Sequence, residues 1–224
     1  MSTLFRYIKS GGLYEKSIDI RGPLYRGLMD ELDGFTAPEK ILREVVIGKN
    51  VKSIASRTFK EFKELYSVTI PGSVETIGSD AFLLCTGLRY VTISNGLTSI
   101  GDSAFHFCYE LRSVTIPDSV KSIGNNAFKE CINLQSAPLP TNDNFTTIGV
   151  SVFEECRALK SVTIPENVTT ISNKAFFKCF KLQNVTIPNS VKSIGESAFQ
   201  KCKELYNIEN DNYVNTIGNG VTTI

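Results

Sequence analysis

Apolar residues recur along this chain of 224 residues at an interval of 23 residues. Seven phenylalanines mark the interval, with one longer step of 25 residues after the fourth: Phe59, Phe82, Phe105, Phe128, Phe153, Phe176 and Phe199. Isoleucines and cysteines follow the same interval: Ile54, Ile77, Ile100, Ile123, Ile148, Ile171, Ile194 and Ile217, and Cys85, Cys108, Cys131, Cys156, Cys179 and Cys202. A fixed period of about 20 to 50 residues is typical of repeat proteins, whose units bury their apolar faces by stacking on their neighbours. The pattern therefore predicts a solenoid.

The unit that starts at Leu111 shows the repeat most clearly, with the pattern LxxVxIPxxVxxIGxxAFxxCxx. Residues 114–116 alternate apolar and polar side chains, which is typical of a strand with one buried face, and Pro117 ends this strand. The segment 120–124, VKSIG, predicts a second, shorter extended piece and a tight turn. Residues 125–134 place apolar side chains at the spacing of one or two helical turns. Each unit is therefore predicted to be an α/β repeat with a strand, a turn, a short extended segment and a short helix.

This unit resembles the leucine-rich repeat, specifically the 23-residue BspA-type subclass, which is marked by Ile-Pro, Ile-Gly and Ala-Phe-x-x-Cys sequences. The marks recur over about residues 41–217, which predicts seven to eight repeats. The resemblance implies a curved solenoid with a parallel β-sheet on the concave face and short helices on the other side. It also implies that the concave face binds other proteins. Members of the subclass are similar to surface antigens and adhesins of anaerobic bacteria and mucosal protist parasites.

The fifth unit departs from the pattern. The segment 137–139, Ala-Pro-Leu, replaces Val-Thr-Ile, and two residues are inserted within 141–144. Pro138 takes an outward strand position without a backbone donor, so we expect a local break in strand pairing there. Phe145 is expected to fill the inward position that valine takes in the other units. The insertion is interpreted either as a tolerated loop or as a hinge or lip that shapes a binding surface.

Both ends of the repeat array need a cap, because an open solenoid end exposes apolar core. Residues 1–40 are predicted to form the N-terminal cap: Ser17 to Ile20 imitates the repeat strand, and Leu24 to Leu32 has helical spacing. Residues 218–224 begin with a Gly-Asn-Gly turn signal and are predicted to close the C-terminal end as a hairpin. If they do not, unpaired strand edges predict end-to-end self-association.

Charge and composition exclude several classes of protein. Lys and Arg total 24 against 23 Asp and Glu, a formal net charge of +1, so we expect no nucleic-acid partner. The N-terminus has no uninterrupted apolar stretch of a secretory signal, and no segment reaches the roughly 18 apolar residues of a membrane helix. These features predict a cytoplasmic protein without direct membrane insertion. The alternative is a secreted or cell-surface protein whose export signal is missing from this sequence.

The sequence offers little catalytic chemistry. Acid-base catalysis most often uses histidine, and the one histidine, His106, is expected to be a partly exposed side chain on the convex side. The six cysteines occupy one inward position without a CxxC pair, which favours a buried ladder of free thiols over disulfides or a metal site. No phosphate-binding glycine motif or Asp-rich calcium loop is present in the sequence. We therefore assign no catalytic, cofactor-binding or metal-binding residue and expect a nonenzymatic protein.

Outward strand positions offer the best candidate for binding. A ladder along the middle of the strands includes Thr69, Thr92 and Thr115, and the strand starts of the second to fourth units bring Tyr66, Arg89, Tyr90 and Arg112 together. Inter-strand steps near 4.8 Å would place these four within about 10 to 15 Å. Tyrosine and arginine are enriched among interface anchors, so we predict that this surface binds a protein partner. The alternative interpretation is a solvated strand surface, because threonine suits exposed strand positions whatever the function.

Three functions remain open. The first is a nonenzymatic protein-binding scaffold or recognition module, which acts through the concave face. The second is a cell-surface adhesin or antigen that binds host or matrix proteins, which the family resemblance implies. The third is a structural subunit that assembles through its ends.

Overall fold

A computed structural model of the chain describes residues 4–10, 13–20, 43–205 and 207–210, with the side chains of 43–205. Within these ranges the structure contains sixteen strands. They are β1 (Leu4–Ser10), β2 (Leu13–Ile20), β3 (Glu44–Ile47), β4 (Ser53–Ile54), β5 (Ser67–Ile70), β6 (Thr76–Ile77), β7 (Tyr90–Ile93), β8 (Ser99–Ile100), β9 (Ser113–Val114), β10 (Ser122–Ile123), β11 (Thr147–Ile148), β12 (Ser161–Thr163), β13 (Thr170–Ile171), β14 (Asn184–Ile187), β15 (Ser193–Ile194) and β16 (Asn207–Asn210).

Each repeat forms one coil of a parallel β-solenoid, and in most of the array each strand residue pairs with the residue one repeat further along the chain. Val68 lies opposite Val91 in the long strands, and Ile77 lies opposite Ile100 in the short strands. We number the coils by repeat, as coil 1 (43–64), coil 2 (65–87), coil 3 (88–110), coil 4 (111–133), coil 5 (134–158), coil 6 (159–181) and coil 7 (182–204). The long strands form sheets in the orders β1-β2-β3-β5-β7-β9 and β12-β14-β16, and the short strands form β10-β8-β6-β4 and β11-β13-β15.

A stack of parallel phenylalanine rings runs through the core. Neighbouring ring centroids are 5.0 to 5.6 Å apart, with interplanar angles of 1° to 11°, along Phe59, Phe82, Phe105, Phe128, Phe153, Phe176 and Phe199. All seven rings are buried. This confirms the prediction that equivalent side chains stack in one apolar column. Strands in a sheet lie about 4.8 Å apart. The spacing between neighbouring coils is therefore only slightly larger along the phenylalanine column than along the strands.

The prediction of short helices is wrong for the described residues, because each of these segments forms a series of turns. Backbone N–H groups alternate between two kinds of acceptor in coil 4. Asn126, Phe128 and Glu130 donate to coil 5 at 2.8 to 2.9 Å, whereas Lys129 and Cys131 donate to the carbonyl three residues back. Asn126 and Glu130 have φ of 57°, in the left-handed region. An α-helix with its side chains is about 10 to 12 Å wide, so helices cannot stack at a coil spacing near 5 Å.

Both kinds of sheet are interrupted at coil 5, which confirms the predicted break at Pro138. The long-strand sheet ends at β9 and resumes at β12, with an isolated bridge between Ser113 and Ser136. The short strands β10 and β11 lie in separate sheets. Phe145 is buried and fills the inward position, as predicted. The phenylalanine stack continues through the break, so the interruption is confined to the strand sides of the solenoid.

Hydrogen bonds anchor the two-residue insertion of coil 5 to the coils on both sides. The backbone N and Oγ1 of Thr141 donate to Asp118 Oδ1 at 2.8 and 3.0 Å. Asn142 Nδ2 donates to the carbonyl oxygen of Val120 at 2.7 Å, and Asn167 Nδ2 donates to the carbonyl oxygen of Asn142 at 2.8 Å. The insertion therefore has a defined shape on the surface of the solenoid.

Two strands extend the sheet on the N-terminal side of coil 1. β1 and β2 form an antiparallel pair, and β2 pairs with β3 in parallel. Ser17 to Ile20, which the sequence predicts to imitate a repeat strand, lies in β2 and pairs with residues 44–47. The predicted helical segment at 24–32 and the C-terminal hairpin at 218–224 lie outside the described residues.

Candidate functional site

The outward face of the long strands, which we call the strand face, is formed by alternate residues of each strand. In β7, Tyr90 and Thr92 are exposed, and the residues that follow each of them are buried. Thr69 lies opposite Thr92, and Thr115 is exposed on the next coil. The predicted threonine ladder therefore lies on this face, and neighbouring tyrosines and arginines distinguish coils 2 to 4 from the rest of it.

Two tyrosines pack against each other on the strand face. The ring centroids of Tyr66 and Tyr90 are 5.3 Å apart at an interplanar angle of 73°, an edge-to-face arrangement that aromatic pairs prefer. Their exposed fractions are 42% and 46%. Within residues 43–205, the other large hydrophobic side chains that are exposed are Val46, also on the strand face, and Val150. The two aromatic residues in the exposed class therefore lie on neighbouring coils of one face.

Arg89 and Arg112 occupy the positions equivalent to Tyr66 on the next two coils. The backbone N of Arg89 donates to the carbonyl oxygen of Tyr66 at 2.9 Å, and that of Arg112 donates to the carbonyl oxygen of Arg89 at 3.5 Å. Arg89 Nε is buried without a hydrogen-bond partner among the described residues, whereas Arg112 is exposed. A buried donor without an acceptor is energetically costly. The structure thus places the four predicted residues side by side.

A second cluster of charged and aromatic side chains lies on the turn segments of coils 5 to 7. We call it the basic patch, and it consists of Arg157, Lys174, Phe177, Lys178, Phe180, Lys201 and Lys203. The Nζ atoms of Lys178, Lys201 and Lys174 lie 5.2, 5.7 and 5.9 Å from the centroid of the Phe177 ring. Lys203 Nζ and Arg157 Cζ lie 5.0 and 5.7 Å from the centroid of the Phe180 ring. These distances are within the range of cation–π attraction.

One carboxylate offsets part of the charge in the basic patch. Glu155 accepts hydrogen bonds from Arg157 Nη2 and Lys178 Nζ, both at 2.6 Å. These bonds, that from Arg157 foremost, hold the pKa of Glu155 below its ordinary value. The remaining cations Lys174, Lys201 and Lys203 form no ion pair within the described part of the chain.

The basic patch is not predicted from the sequence. The helices expected at residues 125–134 and their equivalents would not align side chains from one coil to the next at this spacing. Residues two positions after each ladder phenylalanine form one column, with Lys178 and Lys201, and residues four positions after it form another, with Arg157, Phe180 and Lys203. These columns are the signal that would have identified the patch.

The cysteine ladder is buried, as predicted, and its thiols are bonded to the backbone. Each Sγ donates to the carbonyl oxygen of a ladder phenylalanine in the preceding coil at 2.9 to 3.3 Å, for Cys85, Cys108, Cys131, Cys156, Cys179 and Cys202. All six are free cysteines, and five of them are buried while Cys202 is partly exposed. Burial raises the pKa of each of the five buried thiols. Protonated, inaccessible thiols are poor nucleophiles and poor metal ligands.

His106 lies on the turn segment of coil 3, partly exposed as predicted. Its ring stacks on Phe107 with centroids 3.8 Å apart, and its Nε2 lies 4.0 Å from Glu130 Oε1. Burial, and after it the charge of Lys129, lowers the pKa of His106 to about 4, so the imidazole is neutral at neutral pH. Across residues 43–205 and the other described segments, no group of three or more His, Cys, Asp or Glu side chains is arranged to hold a metal ion.

The described part of the chain contains no helix with the length and apolar character needed to cross a membrane.

Comparison with known proteins identifies relatives of the repeat. The model of the BspA-type leucine-rich repeat region matches residues 35–144 and 138–222, with six copies. A leucine-rich repeat protein of T. pallidum is 28% identical with a TM-score of 0.70, and the match covers 90% of this chain and 87% of that protein. No curated protein matches this chain.

Two further solved structures are similar over most of this chain. A leucine-rich cell surface protein of Faecalibacterium prausnitzii A2-165 is 30% identical with a TM-score of 0.69, and the match covers 93% of this chain and 54% of that protein. A leucine-rich repeat protein of Bacteroides ovatus is 26% identical with a TM-score of 0.57, and the match covers 89% and 55%. The chain thus spans about half the length of these two proteins.

Proposed function

The chain belongs to the BspA-type leucine-rich repeat family, and on this premise we propose that it is a nonenzymatic scaffold or recognition module that binds a protein partner. The partner binds the strand face of coils 2 to 4. Tyr66, Arg89, Tyr90 and Arg112 are the anchor residues, and Thr69, Thr92 and Thr115 form the polar surface beside them.

The exposed Tyr66–Tyr90 pair is the observation that carries this proposal. The two rings contact each other outside the core, and the fold leaves 42% and 46% of Tyr66 and Tyr90 exposed. Tyrosine presents a large contact area at a low cost in side-chain entropy, and tyrosine and arginine are enriched at the centres of interfaces.

A pull-down from the native cells with the intact chain, followed by mass spectrometry, identifies the partner. The double variant Arg89→Glu, Arg112→Glu is expected to lose that partner, because two anchors change sign at the centre of the contact. The matched control is Lys160→Glu with Lys192→Glu, which changes the net charge equally at exposed positions of coils 6 and 7. Retention of the same partner by the Arg89, Arg112 variant would refute the assignment of this face.

A second candidate function is that of a cell-surface protein, with an adhesin or antigen role. The observation that favours it is the 30% identity to a protein described as a leucine-rich cell surface protein. The competing proposal is a cytoplasmic module. Protease treatment of intact cells separates them: a surface protein is degraded while a cytoplasmic marker survives, and protection of the chain excludes the surface role.

Assembly through the ends of the solenoid is a third candidate, and nothing in the described coils favours it over a monomer. Light scattering of the intact chain over a hundredfold range of concentration tests it directly. A mass that rises with concentration supports end-to-end association, and a constant monomer mass excludes it.

A further inference from the structure

We propose that the basic patch of coils 5 to 7 binds a short acidic segment of a polypeptide. This surface is formed by turn segments, in different coils from the strand-face residues Tyr66 to Arg112. The proposal therefore does not depend on the function proposed for the strand face, and either one can fail alone.

The patch concentrates charge that the chain as a whole does not carry. The net charge of the whole chain is +1, yet three ammonium groups lie within 6 Å of the centre of the single Phe177 ring. The ring face attracts each cation, but the cations repel one another. Glu155 forms ion pairs with Arg157 and Lys178 and so offsets part of their charge. Lys174, Lys201 and Lys203 are exposed, and their charges are available to carboxylates from outside.

The size of the patch fits a short peptide. The ring-to-ring steps from coil 5 to coil 6 and from coil 6 to coil 7 are 5.5 and 5.3 Å. An extended chain advances about 3.3 Å per residue, so roughly four residues cover this length. Nucleic-acid binding proteins commonly use about six to ten phosphate contacts, which is more than five cations provide. The size of the site thus favours a short ligand over a long polyanion.

The aromatic rings favour a peptide over a sulfated sugar. Phe177 and Phe180 are partly exposed between the cations, so apolar surface lies directly beside positive charge. A glutamate side chain carries methylene groups next to its carboxylate and can contact both at once. In a sulfated sugar the charged groups and the C–H face that could contact an aromatic ring are held in one rigid ring, whereas a glutamate side chain can bend to place each separately. The ligand that matches the patch is therefore a run of acidic residues, rich in glutamate.

Fluorescence anisotropy with a fluorescein-labelled peptide of eight glutamates tests the proposal on the intact chain. We expect saturable binding that weakens as salt rises from about 50 to 200 mM, because exposed ion pairs are screened. A labelled Gly-Ser peptide of the same length is expected not to bind. The triple variant Lys174→Glu, Lys201→Glu, Lys203→Glu is expected to bind the acidic peptide at least about tenfold more weakly, since three attractions become repulsions.

A matched triple variant distinguishes the contribution of the patch to binding from the effect of net charge. Lys49→Glu, Lys121→Glu and Lys160→Glu are exposed changes outside the patch and alter the net charge equally, so this variant is expected to retain most of the binding. Circular dichroism checks that both variants fold. Absence of binding to the acidic peptide, or equal loss in the two variants, would overturn the proposal. A heparin-derived tetrasaccharide that binds the same lysines at least tenfold more tightly than the peptide would also overturn it, in favour of a sulfated sugar.

Discussion

The thiol of Cys131 donates a hydrogen bond to the carbonyl oxygen of Phe105 in the preceding coil, with Sγ and O 3.2 Å apart. The same contact recurs at every cysteine of the ladder and joins the turn segment of each coil to its neighbour. The cysteines therefore act as small apolar side chains whose thiols add a second hydrogen bond to a carbonyl oxygen that already accepts a backbone N–H within its own coil.

Thiol accessibility follows from this arrangement. A chromogenic disulfide reagent at pH 8 is expected to label at most one thiol of the native chain rapidly, that of the partly exposed Cys202, and all six cysteines after denaturation. Protection by burial and by raised pKa is the physical reason. Rapid labelling of three or more thiols in the folded protein would contradict a buried ladder.

Stability is predicted to fall at alkaline pH. Burial raises the pKa of five thiols in the folded state, so above the ordinary thiol pKa of about 8.5 the unfolded chain loses protons that the folded chain keeps. The stabilisation is fully present below that pH and is lost as pH rises, by up to about 1.4 kcal/mol per pH unit for each thiol. Urea unfolding between pH 7.5 and 10 measures the slope. The Cys131→Ala variant is expected to show a flatter curve than the parent chain, and identical slopes would refute the linkage.

His106 is expected to titrate with a midpoint near pH 4 in the folded protein. Its lowered pKa means that, between about pH 6.5 and 4, the unfolded chain binds a proton that the folded chain does not. The stabilisation present above pH 6.5 is therefore lost as pH falls through this window. Because the chain has one histidine, its imidazole resonance is unambiguous in NMR.

A matched variant tests the cause of this shift. Lys129→Gln is expected to raise the pKa of His106, because it removes the positive charge that, after burial, most opposes protonation. A distant change such as Lys192→Gln is expected to leave the midpoint unchanged. A midpoint at 6 or above in the folded parent chain would show that the imidazole is solvated and that the packing against Phe107 is wrong.

Two glycines at equivalent repeat positions are predicted to tolerate alanine differently. A Cβ on Gly101 would lie 2.6 Å from the backbone N of Ser79, whereas the nearest atom to a Cβ on Gly149 is Asn125 Oδ1 at 3.1 Å. At Gly101 backbone atoms of a packed coil would have to move aside, whereas at Gly149 the neighbouring atoms would have to shift by only a few tenths of an ångström. Gly101→Ala is expected to lower the free energy of unfolding by about 1 to 3 kcal/mol, and Gly149→Ala by less than about 1 kcal/mol.

Thermal and urea unfolding of the two variants measures this difference. It tests the interruption at coil 5 directly, because Gly149 follows β11, which does not pair with β10 of coil 4. Equal destabilisation by the two substitutions would mean that coils 4 and 5 pack as closely as the other coils.

The phenylalanine and cysteine ladders could be predicted from the sequence because each position recurs after one turn of the solenoid. A single unit, such as that from Leu111 to Leu134, shows which side chains point inward, and the period places them above one another. Pro138 predicts the interruption of the long-strand sheet at coil 5 in the same way. A residue without a backbone donor weakens strand pairing at any position within a strand. Each of these predictions needs only the pattern of one repeat and the period at which it recurs.

The solenoid, its register, its buried column and the position of its irregular coil follow from the amino-acid pattern alone, because periodic burial is a local property repeated along the chain. The conformation of residues 125–134 and their equivalents depends instead on the packing of one coil against the next. Coils stacked about 5 Å apart exchange hydrogen bonds with one another and leave no room for the width of a helix. The same stacking brings Lys174, Lys178 and Lys201 around one ring and sets Tyr66 against Tyr90, because contacts between coils depend on side-chain geometry that periodicity does not encode.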